Sequence, residues 1–244
     1  MVTNDLLICT ENIVKRYGGK SVVNEVSLGV KRGEIVGLLG PNGAGKTTTF
    51  YAIVGLIKPD AGRIFFDGQD ITSLPVYMRA RMGMGYLSQE SSVFRKLTVE
   101  ENVMAILETM PLSKKERQSR LVDLLAELDI SRLSKQKAYT LSGGERRKLE
   151  ITRALARRPS VIMLDEPFSG VDPLAVNDIQ EIIMGLRKKG LAILITDHNV
   201  RETLAVVDRA YLLYEGKILR EGESSFLIED KVSRELYLGH KFTM

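Results

Sequence analysis

The chain has 244 residues, of which 44% are hydrophobic and 27% charged, a composition typical of globular proteins and unlike disordered or fibrous chains. Its apolar stretches, such as Leu191–Ile195, fall far short of the roughly 20 residues that a membrane-spanning helix needs. The 35 basic and 31 acidic residues give a formal charge of +4. The basic clusters have no interleaved aromatic residues, which favours a solvated face over a nucleic-acid surface. Contact with phosphates or with a membrane surface is the alternative.

The first third of the chain predicts strands around one helix. Two alternating segments, Leu6–Tyr17 and Val22–Val30, flank a turn at Gly18-Gly19, which predicts a β-hairpin. The elements expected next are a strand buried on both faces, a helix after a glycine-rich loop, and another strand. They are Glu34–Leu39, Thr47–Leu56 and Arg63–Phe66.

The rest of the chain first turns helical and then alternates strands with helices. Residues 98–133 are rich in helix formers, and their leucines fall on one face, which predicts a helical insert. The alternation predicted from Ser142 onward is typical of a mostly parallel sheet. Its members are a helix to about Arg158, strand Val161–Leu164, helix Pro173–Lys188, strand Leu191–Thr196, helix Asn199–Val207 and strand Ala210–Tyr214.

The glycine-rich loop from Gly40 to Thr47 matches the phosphate-loop pattern, in which two glycines separated by four residues precede Lys and Ser or Thr. Small residues let successive backbone N–H groups curl around phosphate oxygens, and the following helix adds its positive end. Lys46 would reach the β- and γ-phosphates, and the Thr47 hydroxyl would ligate Mg²⁺. An ordinary glycine turn is the alternative interpretation.

Two acidic residues, Asp165 and Glu166, follow the predicted strand Val161–Leu164. In phosphate-loop NTPases an acid at such a strand end holds the metal, so we expect Asp165 on the metal side. A carboxylate one residue further on can polarise an attacking water, which makes Glu166 the predicted general base. A solvated pair of acids is the alternative.

A third motif, Leu141–Glu145, opens the helix that begins at about Ser142. A helix capped by Ser142 is one interpretation. It leaves unexplained the two glycines, Gly143 and Gly144, each of which costs about 1 kcal/mol relative to Ala in a helix. Bare N–H groups at a helix start favour a second anion site.

These motifs occur in a fixed order along the chain. They are Gly40–Thr47, Gln89 after a strand-like run, Leu141–Glu145, Asp165-Glu166, Ser169–Asp172 and His198. Over essentially the whole chain this order resembles the ATPases of ATP-binding cassette (ABC) transporters. The resemblance implies an α/β fold, a phosphate-loop NTPase core of mostly parallel sheet with an N-terminal antiparallel β part and a helical insert. It also implies one domain over residues 1–244, with a helical subdomain at about 90–158.

The resemblance further implies an ATP hydrolase that uses ATP and Mg²⁺ in a head-to-tail homodimer around two ATP molecules. The implied catalytic residues are Glu166 as base, His198 as γ-phosphate switch, Gln89 and Lys46. The implied metal contacts are Thr47, Gln89 and Asp165, and Asp172 belongs to a loop that signals across the dimer. The implied nucleotide contacts are Tyr17 stacking on adenine, Gly40, Pro41, Asn42, Gly43, Ala44, Gly45, Lys46, Thr47 and Thr48, and Ser142, Gly143 and Gly144 facing the opposite ATP. Without the family, an aromatic near a strand end such as Tyr17 is more often a core residue, and a lone histidine after a strand such as His198 is usually a satisfied polar group.

Three further segments resemble the ATPases of bacterial lipopolysaccharide exporters. They are Ser92–Thr98, Thr196–Leu204 and the tail Tyr237–Phe242. The chain departs from that pattern at Ser169, where Ala is expected, and at His240 and Lys241, where acids are expected. An ATPase of a branched-chain amino-acid importer is the alternative, and a soluble ABC protein without a channel is the second.

The exporter resemblance implies two integral membrane permease subunits, seated in a groove near Phe94 and Arg95, and only indirect contact with lipopolysaccharide. A surface loop packing on the helical insert explains Phe94 equally well. We expect no nucleic-acid partner. The expected location is the cytoplasm, peripherally bound to the bacterial inner membrane, and the single cysteine, Cys9, agrees with a reducing compartment.

Overall fold

A computed structural model describes residues 5–239 and residue 242. In chain order its strands are β1 (Leu6–Tyr17), β2 (Lys20–Val26), β3 (Gly29–Lys31), β4 (Ile35–Leu39), β5 (Ala61–Phe66), β6 (Gln69–Asp70), β7 (Met84–Leu87), β8 (Val161–Asp165), β9 (Ala192–Thr196), β10 (Arg209–Tyr214) and β11 (Lys217–Glu223). Its α-helices are α1 (Lys46–Val54), α2 (Val76–Met82), α3 (Val99–Leu107), α4 (Lys114–Glu127), α5 (Gly143–Leu155), α6 (Pro173–Lys188), α7 (Val200–Leu204), α8 (Ser224–Glu229) and α9 (Lys231–Ser233). Short 3₁₀ turns at Ser131–Leu133 and Ala138–Thr140 and a π-helical turn at Arg234–Leu238 complete the described elements.

The strands form two sheets. One is antiparallel, in the order β2-β1-β5-β6 with β3 also paired to β1. The other has the order β11-β10-β4-β9-β8-β7 and is parallel except for the β10–β11 pair. The predicted fold class, an α/β core with an N-terminal antiparallel part, is therefore confirmed.

Helix α1 lies between the sheets, and its buried residues include Phe50 and Ile53. Alternate residues of β8 face opposite cores: Val161 packs with α1, whereas Ile162 packs with helices on the other side. A strand covered on both faces must be apolar throughout, which explains the unbroken apolar run of β8.

Three helices, α3, α4 and α5, follow β7 and precede β8. Capping boxes start them at Thr98, Ser113 and Ser142, where each side chain accepts from the backbone N–H three residues on. Each box satisfies two backbone donors that a helix start leaves open, so these boundaries are set by local chemistry.

The strand predicted over Val22–Val30 and the helix predicted over Asn199–Val207 are both shorter in the structure. The strand expected over Val22–Val30 breaks after Val26, because Leu28 N–H donates to the Thr10 hydroxyl (2.9 Å) rather than to a ladder carbonyl. The helix expected over Asn199–Val207 ends at Leu204, because the chain turns to lead into β10. Of the tail residues, His240 and Lys241 lie outside the described residues. None of the described helices is long and apolar enough to span a membrane.

Candidate active site

Four neighbouring parallel strands, β4, β9, β8 and β7, end at one edge of the large sheet. The loop Gly40–Thr47 follows β4, His198 follows β9, Glu166 follows β8 and Gln89 follows β7. In parallel sheets the carboxyl ends of strands form the ligand-binding edge. Sheet order thus assembles groups that lie up to about 160 residues apart in sequence.

Glu166 lies at the centre of a cluster of polar side chains at this edge. Its Oε2 accepts a hydrogen bond from Gln89 Nε2 at 2.7 Å and lies 3.2 Å from His198 Nδ1. Its backbone has φ 49°, a left-handed conformation that residues other than glycine rarely adopt. Strain of this kind is concentrated at functional sites, and the Glu166 side chain keeps 23% of its surface exposed, so water can reach the carboxylate.

The phosphate loop leads into α1 without a side-chain cap. Gly45 precedes the helix at φ 97°, and a Cβ there would lie 2.5 Å from the Val22 carbonyl oxygen, so only glycine fits. Lys46 Nζ donates to the carbonyl oxygens of Gly40 (2.6 Å) and Pro41 (3.0 Å), and burial lowers the pKa of Lys46. The Lys46 ammonium is held over the loop. A bound phosphate would replace one of these carbonyls as its hydrogen-bond acceptor and would give it a charged partner.

Asp165 ends β8 as a buried carboxylate whose Oδ2 makes no hydrogen bond among the described residues. Burial raises its pKa to about 6, although the hydroxyls of Tyr51 and Tyr86 approach it and favour the charged form. A buried oxygen without a donor is costly in an isolated chain. A cation would satisfy it, so the residue fits a metal ligand.

The Leu141–Glu145 motif lies at the start of α5, where local packing explains part of it. Ser142 Oγ accepts from Glu145 N–H at 3.2 Å, as a helix cap. A Cβ on Gly144 would lie 2.7 Å from Ala175 Cβ on α6, so intrachain packing requires glycine there. A Cβ on Gly143 would meet nothing closer than the Gly170 carbonyl oxygen at 3.9 Å. Among the described residues, Gly143 therefore has no neighbour whose packing requires it to lack a side chain.

The family model described as "ABC transporter" matches residues 23–169. The chain is 54% identical over 236 residues to the "Lipopolysaccharide export system ATP-binding protein LptB" of Acidithiobacillus ferridurans, covering 97% of this chain and 98% of the relative. The chain belongs to the ABC transporter ATPase family. Such cassettes bind and hydrolyse ATP, and the chain is an enzyme of this class.

Solved cassettes share the fold. The ADP conformation of an ATP-binding cassette of an ABC transporter superposes with a TM-score of 0.86 at 32% identity, covering 96% of this chain and 99% of the other. A dimeric cassette in a post-hydrolysis state, bound to ADP and Pi, superposes with a TM-score of 0.78 at 26% identity, covering 89% and 98%. The fold prediction and the family resemblance are both confirmed.

In this cassette Tyr17 ends β1 with half of its surface exposed, and Lys15 Nζ lies 5.5 Å from the centre of its ring. Thr47 is exposed and Thr48 is half-buried at the start of α1. Asp172 caps α6 by accepting from Ala175 N–H at 3.1 Å.

Sequence reasoning missed a buried ion pair within α5. Arg147 Nη1 lies 2.9 Å from Glu150 Oε2 and donates to the Ser88 carbonyl at 3.1 Å, while Nη2 donates to the carbonyls of Asp165 (3.3 Å) and Glu166 (3.2 Å). One guanidinium thus joins α5 to the ends of two neighbouring strands, β7 and β8, at the active-site edge. The Arg146-Arg147-Lys148 run looks like a solvated face in sequence, and only the three-residue spacing to Glu150 hints at a pair.

Asp197 was also missed. It is fully buried, and its Oδ2 accepts from Phe168 N–H (2.9 Å) while Oδ1 accepts from Asn199 N–H (2.8 Å). Burial raises its pKa despite these bonds. Asp197 therefore fixes the loop on which His198 stands to the segment that follows Glu166.

Proposed function

We propose that the sheet edge hydrolyses ATP with Glu166 as general base, and the shared Oε2 contact with Gln89 and His198 carries the proposal. Gln89 and His198 hold the Glu166 carboxylate in place, at a residue whose backbone is left-handed. Lys46 and the N–H groups at the start of α1 bind the phosphates. Glu166 takes a proton from a water aligned with the γ-phosphate.

The same edge fits Mg²⁺. Asp165, with its unbonded Oδ2, and the hydroxyl of Thr47 would hold the ion, with Gln89 completing the protein contacts. One or two protein ligands besides the substrate phosphates are the usual arrangement for Mg²⁺ in such sites. The ion, when bound, neutralises charge that develops on the phosphate oxygens.

The homodimer is proposed from the Ser142–Gly144 segment. At the start of α5, Gly144 is packed against α6, whereas Gly143 faces open space. This is expected if a phosphate of a nucleotide held by a second copy lies against Gly143. A dimeric cassette with ADP and Pi among the solved relatives supports the same arrangement. Tyr17 would stack on the adenine of the ATP bound by its own phosphate loop.

We further propose that this ATPase is bound to the cytoplasmic face of a bacterial inner membrane and powers the extraction and export of lipopolysaccharide from that membrane. The relative named for that system, 54% identical over nearly the full length, supports the proposal. The Ser142–Gly144 segment belongs to the inserted helical unit, which we place at about residues 90–158 of a single domain over 1–244. Its movement with the dimer would be transmitted to the membrane subunits.

The proposed docking point for those subunits is the loop around Phe94 and Arg95. Both are exposed, and the Arg153 guanidinium lies 4.7 Å from the centre of the Phe94 ring. The buried Asn102 fixes the loop by bonding to the backbone N–H (2.8 Å) and carbonyl (3.1 Å) of Phe94. Next to it, Tyr51 and residues 88–92 line a cleft of about 350 Å³. A helix from a membrane subunit fits this combination of a fixed aromatic and an adjacent cleft.

The test is affinity purification of the tagged chain from gently solubilised native membranes, with mass spectrometry of the integral membrane proteins that accompany it. We expect two related exporter subunits, and we expect Phe94→Ala to lose them. Val122→Ala, which removes an exposed apolar side chain from α4, is the matched control and should retain them. Recovery of amino-acid permease subunits would refute the exporter proposal and leave the ATPase proposal intact.

A further inference from the structure

A second cleft, of about 350 Å³, lies at the opposite edge of the parallel sheet from the ATP site. Its floor includes Ser160, directly before β8, and Leu191, directly before β9. Helix α4 and the ends of α5 and α6 form its walls. Because β8 is five residues long, the cleft is about 15 Å from the catalytic end of the same strand. It is therefore separate from the nucleotide site.

Two arginines in the cleft have no acidic partner within the described ranges. Neither Arg120 on α4 nor Arg158 after α5 makes a side-chain hydrogen bond or ion pair among the described residues. Nη2 of Arg120 is buried without an acceptor. Burial lowers the pKa of Arg120, and the nearby charge of Arg158 lowers it further. Two like charges and a buried free donor in one cleft are unfavourable unless an anion binds there.

The other charged groups of the cleft do not supply that anion. The Glu127 carboxylate is bound by Lys189 Nζ at 2.5 Å. Asp123 lines the cleft without an ion pair to either arginine. Arg158 also holds a left-handed backbone, φ 52°, that glycine would adopt at lower cost, although its side chain makes no bond within the described chain. An external anion would account for the two unpaired guanidinium groups and for the buried Nη2 of Arg120.

The rest of the wall is apolar and specifies the ligand further. Leu124, Leu155, Leu186 and Leu191 line the cleft, whose volume lies in the range of small-molecule sites. Guanidinium groups match the oxygens of phosphate through paired N–H donors, and two of them balance a doubly charged phosphomonoester. We propose that this cleft binds a small organic phosphate, with the phosphate between Arg120 and Arg158 and the apolar body on the leucines.

The test is calorimetric titration of the full chain with 1-naphthyl phosphate. We expect saturable binding of one molecule per chain, weakened at least tenfold by Arg120→Gln and by Arg158→Gln. Lys46→Ala should retain the binding, because it disables only the phosphate loop. Lys114→Gln, which removes one positive charge from the exposed start of α4, should also retain it. The neutral analogue 1-naphthol should not bind.

The proposal would be overturned by the absence of saturable binding, by binding unchanged in both arginine variants, or by an equal loss in Lys114→Gln. Should Arg120→Gln fail to fold, the exposed Arg158 provides the independent variant, and its melting temperature should match that of the parent chain. Sedimentation with phosphatidylcholine vesicles, with and without phosphatidic acid, distinguishes a phospholipid headgroup from a soluble organic phosphate as the ligand. Binding to the acidic vesicles without binding of 1-naphthyl phosphate would also overturn the proposal.

Discussion

The chain has two glycine-rich helix starts, and their surroundings differ. The start of α1 is surrounded by functional groups of its own chain, because Gln89 and His198 lie at the same sheet edge and both contact Glu166. The start of α5 has its serine in a cap and one glycine packed on α6, which leaves only Gly143 open. Similar motifs thus supply a nearly complete site in one case and a half-site in the other.

This contrast shows that a motif's glycines need not share one cause. Gly144 is required by contact with Ala175, whereas a methyl group on Gly143 would disturb no neighbour in the described part of the chain. In the proposed homodimer, the half-site becomes functional only with a nucleotide held by a second copy. The experiments below test the contrast, beginning with the complete site.

The largest expected effect is at Glu166. Glu166→Gln retains the size of the side chain but removes the base, so turnover should fall by roughly 10²- to 10⁴-fold while ATP affinity is retained. Steady-state ATPase assays and equilibrium nucleotide binding measure the two quantities. Glu90→Gln, which changes an exposed carboxylate beside the same site, is the control. Near-normal turnover in Glu166→Gln would remove the residue as the base.

Arg147 connects α5 to the sheet edge that carries the ATP site. Its replacement should therefore lower both the stability of the chain and its ATPase activity. Arg147→Met leaves the Glu150 carboxylate buried without its partner, and such losses cost about 3–5 kcal/mol. Replacing both, as Arg147→Met with Glu150→Leu, should cost less because no charge is stranded. Chemical denaturation of both variants measures the difference. Equal destabilisation by the single and double substitutions would contradict the importance of the pair.

The buried Asp165 carboxylate should lower the free energy of unfolding when Mg²⁺ and nucleotide are absent. Its pKa is raised to about 6 from an ordinary 3.8, so the folded state binds more protons than the unfolded state between these values, and stability falls as pH rises through them. Asp165→Asn should therefore stabilise the chain at pH 7.5 by on the order of 3 kcal/mol, with little gain near pH 4, while turnover is lost. Thermal melts across this pH range test the prediction, and a destabilised variant at pH 7.5 would refute it.

The two glycines of the half-site should separate stability from activity. Gly144→Ala should destabilise the chain by about 1–3 kcal/mol, because its methyl group overlaps Ala175. Gly143→Ala should leave the melting temperature unchanged or higher, since alanine favours helix, yet lower ATPase activity. Melting and ATPase measurements on both variants suffice. Normal activity in Gly143→Ala would contradict an outside ligand at that position.

The sequence predicted regular elements well where periodicity and burial agree. Helix α6 spans Pro173–Lys188 as expected, and β8 extends its predicted run by one residue. Helix α2 was not predicted, because it is held by the buried Arg79, whose Nη1 donates to the carbonyls of Ala52 (2.8 Å) and Ile53 (2.6 Å) at the end of α1. Arginine normally indicates a solvated face, so sequence periodicity could not reveal this contact.

The sequence predicted the motif residues of the candidate site but not the buried residues that hold its segments together. Phosphate-loop spacing and a strand-end acid are local signals, so Lys46 and Asp165 could be singled out directly. Arg147 and Asp197 act through backbone groups of distant segments, which no local pattern encodes. The packing of Gly144 likewise depends on α6, about thirty residues away in sequence.

Mixing two inactive variants tests most directly whether the half-site completes the active site of a second copy. Lys46→Ala disables the phosphate loop, and Gly143→Asp places a negative charge at the half-site; each variant alone should lack turnover. In a mixed dimer, one site combines the intact loop of one chain with the intact half-site of the other. Equal mixing should therefore restore up to about a quarter of the parent activity. No recovery, with mixed dimers shown to form, would contradict the account.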